Sequence, residues 1–326
     1  MNSVSPNLVS LTTKRIAVTG GAGFIGSHTV ERLLEAGMQV LVIDDQTHPC
    51  PEPPPARTIS VDCGSDEAAQ ALMDFKPDAL LHLASKGGVQ VAARDPAGHA
   101  RRSLASTVGV YNAAIQAGAR RIVTASSGGT IYGDPRSLPA RETFPAQPLS
   151  AYGAAKRSEE VYMAALGRRF GVSTLALRYG NVYGPRQDGT GEAGVIAITC
   201  TRLLGDQHPR VFGDGLQTRD FVFVGDVAAA NVAALKSRRS GELNVGTGRE
   251  TSVAEVVGIL VAASGKDLPV EMAPAKEFEV RRVCLDPTRA RSWIRWQPQV
   301  DVTHGLRETW SWFNARAKAA SGPEHD

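Results

Sequence analysis

From Arg15 to about Arg178, short apolar runs alternate with longer stretches of helical period. Ile16–Thr19, Val40–Ile43, Thr58–Val61, Ala79–Leu83, Ile122–Ala125 and Thr174–Leu177 read as strands. Between them, Ile25–Ala36, Asp66–Phe75 and Ser106–Ala117 read as helices, and Gly37, Gly118 and Gly171 stand where helices stop. Strands joined by crossover helices predict an α/β fold, a Rossmann-type doubly wound parallel sheet. Pro49–Pro55 packs five prolines into seven residues and predicts a stiff loop after the second strand. Beyond Arg178 the alternation breaks down. Loops rich in Gly and Pro (Gly180–Gly194, Gly205–Gly215) interrupt helices at about Val195–Leu204 and Val227–Ser237. The expected organisation is a nucleotide-binding domain over residues 1–179 and a smaller C-terminal substrate domain over 180–326, interleaved with the first. Trp293, Trp296, Trp310, Trp312 and Phe313 read as packing.

Composition narrows the partners. The 326 residues carry a net charge of +3, and the basic residues fall in scattered pairs such as Arg101-Arg102 and Arg281-Arg282. A nucleic-acid binder would gather them on one face, so no nucleic acid is expected. Cys50, Cys63, Cys200 and Cys284 lack metal-ligand spacing, so no metal is expected, and free thiols suit a reducing compartment. Met1–Thr13 is polar, and no apolar run nears the roughly 18 residues of a membrane span. A cytoplasmic protein without a membrane partner is expected.

The chemistry begins at Thr19-Gly20-Gly21-Ala22-Gly23-Phe24-Ile25-Gly26, which follows a strand and opens a helix. Gly20, Gly23 and Gly26 let backbone N–H groups and a helix N-terminus approach a pyrophosphate, and Phe24 and Ile25 lie in the turn that does so. Asp44, at the end of the next strand, is placed to accept bonds from adenosine ribose hydroxyls. With Asp45 it would repel the 2′-phosphate of NADP, so NAD is the expected cofactor. Asp62-Cys63 after the third strand is placed to meet the adenine, or simply caps the strand. Leu83-Ala84-Ser85 ends the fourth strand with residues small enough to leave the cofactor room.

Tyr152 and Lys156 stand at i and i+4, on one face of a helix. A lysine ammonium beside a phenol stabilises phenolate, which makes Tyr152 an acid/base suited to an alcohol under oxidation. Ser126-Ser127 lies upstream, at a strand end.

These segments, with LHLAS, ASSGGTIYGD, LRYGNVYGPRQDGTGEAGVIAI, VFGDGLQTRDFVFVGDVAAA and NVGTGRETSV, resemble the extended short-chain dehydrogenase/reductases over Arg15–Phe313. Within them, the chain looks most like the UDP-glucose (UDP-galactose) 4-epimerases and related nucleotide-sugar enzymes. The resemblance implies a homodimer acting on a nucleotide-diphosphate sugar. It implies that Tyr152 is the acid/base, that Lys156 orients the cofactor ribose, and that a Ser or Thr bonds the reacting hydroxyl. Ser103 and Tyr179 join the cofactor set on the same ground. Asn181, Gly194, Val195 and Arg219 are expected to hold the nucleotide and diphosphate, with Lys276 and Glu279 on a phosphate and a ribose.

Related 4,6-dehydratases carry Thr-Asp-Glu where this chain has Gly128-Gly129-Thr130. Without those carboxylates, epimerisation at C4 is the expected reaction. The usual catalytic hydroxyl aligns with Gly128, which leaves Ser127 to serve, with Ser126 and Thr130 as fallbacks. Ser103 stands where the family has Asn, Ala92 and Ser106 replace a Ser and a Gly, and Lys276 and Phe278 replace an Arg and a Gly. A 4-ketosugar reductase and a cofactor-binding sensor without chemistry are the alternatives.

Overall fold

The computed structural model describes residues 14–190, 194–275 and 280–320. The first half runs β1 (Arg15–Thr19), α1 (Phe24–Glu35), β2 (Gln39–Ile43), β3 (Arg57–Ile59), α2 (Asp66–Phe75), β4 (Ala79–His82), α3 (Val89–Arg94), α4 (Pro96–Gln116), β5 (Arg121–Ser127), α5 (Gly128–Ile131), α6 (Ala151–Phe170) and β6 (Ser173–Tyr179). The second runs β7 (Asn181–Tyr183), α7 (Val195–Leu204), β8 (Arg210–Phe212), β9 (Thr218–Arg219), β10 (Phe221–Phe223), α8 (Val224–Lys236), β11 (Gly241–Val245), β12 (Thr251–Ser252), α9 (Val253–Ser264), β13 (Glu271–Ala273), α10 (Thr288–Ile294) and α11 (Val302–Ala320).

Seven parallel strands form one sheet in the order β11-β6-β5-β4-β1-β2-β3. Strand residues alternate between its faces. Ile16, Val18, Val40 and Val42 pack with Val30 and Leu33 of α1 and Val227 and Ala230 of α8. Ala17, Leu41 and Ile43 pack on the other face with Leu72 of α2, Val110 and Tyr111 of α4 and Met163 of α6. A third core joins Leu203 of α7, Leu260 of α9 and Trp310 and Phe313 of α11 to Tyr183, Phe221 and Phe223. The chain reverses its direction across the sheet between β1 and β4, which opens a crevice at the strands' carboxyl ends.

Two elements depart from the sequence reading. The seventh strand, β11, comes from the second half of the chain. Its segment Gly-Glu-Leu-Asn-Val alternates polar with apolar, as an edge strand does, and Asn244 is fully buried by donating to the Ala140 carbonyl and accepting from Tyr132. Helix α4 begins ten residues before the expected Ser106. Asp95 caps it through Gly98 N at 2.8 Å, with Pro96 in the first turn.

Helix α6 is anchored by a buried ion pair. Glu160 accepts two bonds from Arg178 of β6, at 2.9 and 2.7 Å, and one from Ser126 of β5 at 2.7 Å. Arg178 also donates to Tyr132 at 3.0 Å, which in turn donates to Asn244. Burial pushes the Glu160 carboxyl up, but the Arg178 guanidinium outweighs it and holds the group below its ordinary value. A carboxyl depressed by folding stabilises the fold above its ordinary pKa and loses that contribution as pH falls through the folded value. Glu160→Gln should therefore lower unfolding stability by roughly 3–5 kcal/mol at pH 7, because it strands Arg178 in the core. The deficit in urea unfolding should shrink as the medium is acidified; a pH-independent or negligible deficit would remove the ion pair from this account.

Candidate active site

The β1–α1 turn is built for close approach. Gly20 adopts φ +70°, and a Cβ there would meet Ala84 N of the neighbouring strand end at 2.6 Å. A Cβ on Gly26 would collide with the Gly20 carbonyl. Gly23 caps α1 without any side-chain bond, so the helix's first N–H groups are offered to a ligand. Asp44 Oδ2 accepts from Ala22 N at 2.9 Å and Oδ1 from Gln46 N at 2.8 Å. Phe24 and Ile25 are half-buried beside the loop. A cradle closed to side chains, a helix N-terminus and a carboxylate at the next strand end fit a dinucleotide.

Sequence reasoning missed Lys86. Its ammonium lies 2.8 Å from Asp45 and 2.6 Å from Asp62, tying together the segments that follow β2, β3 and β4. Although burial pushes it up, bonds from Lys86 and Thr47 bring the Asp45 carboxyl down to about 2. The charge of Asp45 is thus offset by Lys86, whereas the Asp44 carboxylate meets only backbone N–H groups among the described residues. The signal available was a cation just past a strand end, opposite two acids at neighbouring strand ends. Beside this clasp, the Cys63 thiol is pushed up by burial, and its Sγ lies 3.5 Å from Ser106 Oγ. Leu83 N donates to Thr19, and Ser85 Oγ donates to the Gly87 carbonyl at 3.1 Å.

Tyr152 and Lys156, the expected acid/base pair, lie in the first turns of α6, which Ser150 caps through Gly153 N. Lys156 Nζ sits 6.0 Å from the centroid of the half-buried Tyr152 ring. The three hydroxyl candidates separate. Ser126 is buried and spends its hydroxyl on Glu160. Ser127 is half-buried; a Cβ built on Gly129 would lie 4.0 Å from Ser127 Oγ and 3.6 Å from Asn181 Oδ1, so the two side chains converge. Thr130 Oγ1 is buried with no hydrogen-bond partner among the described residues, and Thr130 lies against Gly153, next to Tyr152. The space of a side chain at Gly128 is filled by the Leu285 methyls. Ser103 is buried on α4 and donates to Glu159 at 2.9 Å. Tyr179, opposite Ser127 in the sheet, donates its hydroxyl to Asn231 at 2.6 Å.

On the substrate side, Asn181 is exposed, and its N–H donates to the Asp220 carbonyl at 2.7 Å. Arg219 donates to the Thr218 carbonyl at 2.8 Å. Gly194 and Val195 open α7. The acids of the RDFVFVGDV segment are staples that motif reading did not assign. Asp220, fully buried, accepts from Thr247 N and Oγ1, Gly248 N and Leu285 N. Asp226 accepts from Gln299 N and Val300 N. Lys276 and Glu279 lie outside the described residues.

Residues 16–246 match the model of the NAD dependent epimerase/dehydratase family. The UDP-glucose 4-epimerase of Mycolicibacterium smegmatis is 38% identical over 312 residues, spanning 93% of this chain and 100% of that protein. The crystal structure of UDP-glucose 4-epimerase with UDP-glucose from Thermotoga maritima superposes with a TM-score of 0.89 at 36% identity, over 93% of this chain and 99% of that one. The Thermus thermophilus UDP-glucose 4-epimerase complex with NAD gives 0.87 at 38% identity, over 92% and 99%. With its glycine cradle, its Tyr152–Lys156 pair and a match across most of its length, this chain belongs to the NAD dependent epimerase/dehydratase family.

Proposed function

We propose that this protein is an NAD-dependent 4-epimerase of a nucleotide-diphosphate sugar: a UDP-hexose, UDP-N-acetylhexosamine or UDP-uronic acid. The observation that carries this reading is the Tyr152–Lys156 pair on α6, with Lys156 Nζ 6.0 Å from the Tyr152 ring, Thr130 against Gly153 of the same helix, and Gly128-Gly129-Thr130 supplying no carboxylate there. An acid there would be needed to move protons at C5 or C6. A 4-epimerase needs only one acid/base.

In this reading Gly20, Gly23, Phe24, Ile25 and Gly26 hold the pyrophosphate, and Asp44 holds the adenosine ribose. Asp45, Asp62, Cys63, Leu83, Ala84 and Ser85 border the adenosine, and Tyr179 borders the nicotinamide. Lys156 orients the second ribose and stabilises the Tyr152 phenolate. Asn181, Gly194, Val195 and Arg219 bind the nucleotide and diphosphate. Bound NAD supplies the hydride acceptor and donor for C4. Tyr152 takes the proton of the C4 hydroxyl while Ser127 bonds its oxygen; after the sugar turns over, so that C4 takes hydride back on its opposite face, Tyr152 returns the proton to the C4 oxygen. No helix among the described residues is long and apolar enough to cross a membrane, and all four cysteines are free and buried. These features support a cytoplasmic site of action. The division at residue 180, with β11 and α8 returning to the first domain, completes the proposal.

Five outcomes test it. Tyr152→Phe should cut turnover by roughly 100- to 10,000-fold and leave NAD binding nearly intact. Ser127→Ala should cost less; a silent Ser127→Ala beside a crippling Thr130→Val would move the hydroxyl role to Thr130. With substrate deuterated at C4, the label should reappear at C4 of the product, whereas solvent deuterium at C5 would indicate dehydratase-like chemistry. In calorimetry NAD should bind far more tightly than NADP, and Asp44→Asn should narrow that gap more than Asp45→Asn, whose charge Lys86 offsets. Finally, Val161, Tyr162 and Phe170 of α6 are exposed. Paired with its copy through α4 and α6, the chain should scatter light as twice 34.6 kDa at micromolar concentration; a monomer there rules the dimer out.

A further inference from the structure

Lys156 carries a charge where water does not reach it. Its side chain is 6% exposed, and the carboxylate of Glu159, 1% exposed, lies 3.0 Å from Nζ. Glu159 follows three residues later on the same helix, so α6 alone brings the two together. Both carboxylate oxygens are used. Oε2 accepts from Lys156, and Oε1 accepts from Ser103 Oγ at 2.9 Å. Ser103 belongs to α4, which packs along α6, so the carboxylate is gripped from a second helix. Where the family resemblance expects an asparagine, the shorter serine leaves room for Glu159 and donates a hydroxyl to it.

Isolated burial of an ammonium costs several kcal/mol, so the group would shed its proton unless a counter-charge stood beside it. We propose that Glu159, fixed by Ser103, is a positioning residue that keeps Lys156 protonated and aimed at the reacting end of Tyr152. It rests on the reading of Tyr152 and Lys156 as the acid/base pair. One of the three ammonium donors is spent on Glu159, which leaves two for the cofactor ribose and the phenolate side. Glu160, the next residue, cannot stand in, because Ser126, Arg157 and Arg178 already occupy it.

Among the other groups facing this pair, Tyr152 and Glu160 add to the attraction but each by less than Glu159, and the rest supply no negative charge. On α6 these groups are Tyr152 and Glu160; on α4, His99, whose ring centroid is 6.2 Å from that of Tyr152, and Tyr111; on β4, His82. Burial, with Lys156 and Lys86 adding to it, brings His82 down to about 3, so it stays neutral. Burial pushes the Tyr111 phenol up, so it stays protonated. Lys86, bound to Asp45 and Asp62, is the next cation. Burial works against Lys156, yet Glu159 foremost, with Tyr152 and Glu160 adding to it, holds it above the ordinary lysine value.

The test reads Lys156 itself, by 13Cε NMR of lysine-labelled, NAD-bound protein, the resonance assigned by its loss in Lys156→Met. In the parent protein Lys156 should stay an ammonium through the alkaline range in which the fold survives. In Glu159→Gln it should titrate roughly two pH units lower or more, and the kcat/KM profile should gain a falling alkaline limb at the same pH. Glu159→Asp should restore most of both, and Ser103→Ala should give a smaller shift in the same direction. Parent-like titration and profile shape in Glu159→Gln overturn the proposal, whatever the variant loses in stability. Should Glu159→Gln not fold, parent-like titration in Ser103→Ala overturns it instead. A shifted Lys156 in a protein that does not epimerise would sink the catalytic reading alone.

Discussion

The bond between Glu160 and Arg178 fixes the catalytic helix. Apart from its charged residues, helix α6 buries Gly153, Ala155, Met163 and Gly167, apolar contacts without direction of their own. A two-pronged carboxylate–guanidinium contact, with both partners dry, permits one position only. Ser126 and Tyr132 extend it into β5 and, through Asn244, into β11. The first turn of α6, which holds Tyr152, and the end of β5, which holds Ser127, therefore move as one body. Proton transfer depends on such sub-ångström placement, and the placement is set about two turns along α6 from Tyr152.

The cofactor crevice rests on the opposite kind of constraint. On that side, side chains are absent where backbone must approach backbone. Gly20 against Ala84 and Gly26 against Gly20 bring two strand ends and a helix start closer than any Cβ would allow. Beneath them runs a buried polar seam, in which His82 bridges Thr19 and Thr107 and Tyr111 bonds Thr124. The acid/base helix is held by charge and the nucleotide loop by missing volume.

Much of this was legible in the chain. Buried parallel strands are short, apolar and β-branched, so six of the seven announced themselves; β11 did not, because Glu242 and Asn244 interrupt its apolar pattern. The glycine loop, Asp44 and the Tyr152–Lys156 pair could be read because each needs a fixed residue type at a fixed local spacing. What could not be read are pairings between distant segments. Lys86 meets Asp45 across 41 residues and Ser103 meets Glu159 across 56, and no local pattern couples those positions. The same limit hid the staples, since Asp220 serves Thr247 and Leu285 only once three loops have converged. The choice among Ser126, Ser127 and Thr130 needed coordinates for a related reason: adjacent residues on a strand face opposite ways, and only packing shows which face is wet.

Leu285 occupies the volume in which a side chain at position 128 would stand. Its backbone is held by the bond from its N–H to the buried Asp220, and its side chain is fully buried beside Tyr132 and Ala140, so any adjustment falls to the ends of the side chain. A serine introduced at 128 alone would strike the leucine, and a smaller residue at 285 alone would open a hole under the active site. The two positions are therefore locked to one another. A hydroxyl at 128 calls for a shift or a shortening of the side chain at 285. The glycine at 128 thus answers to a residue 157 positions away in the chain, through packing and not through the segment around it.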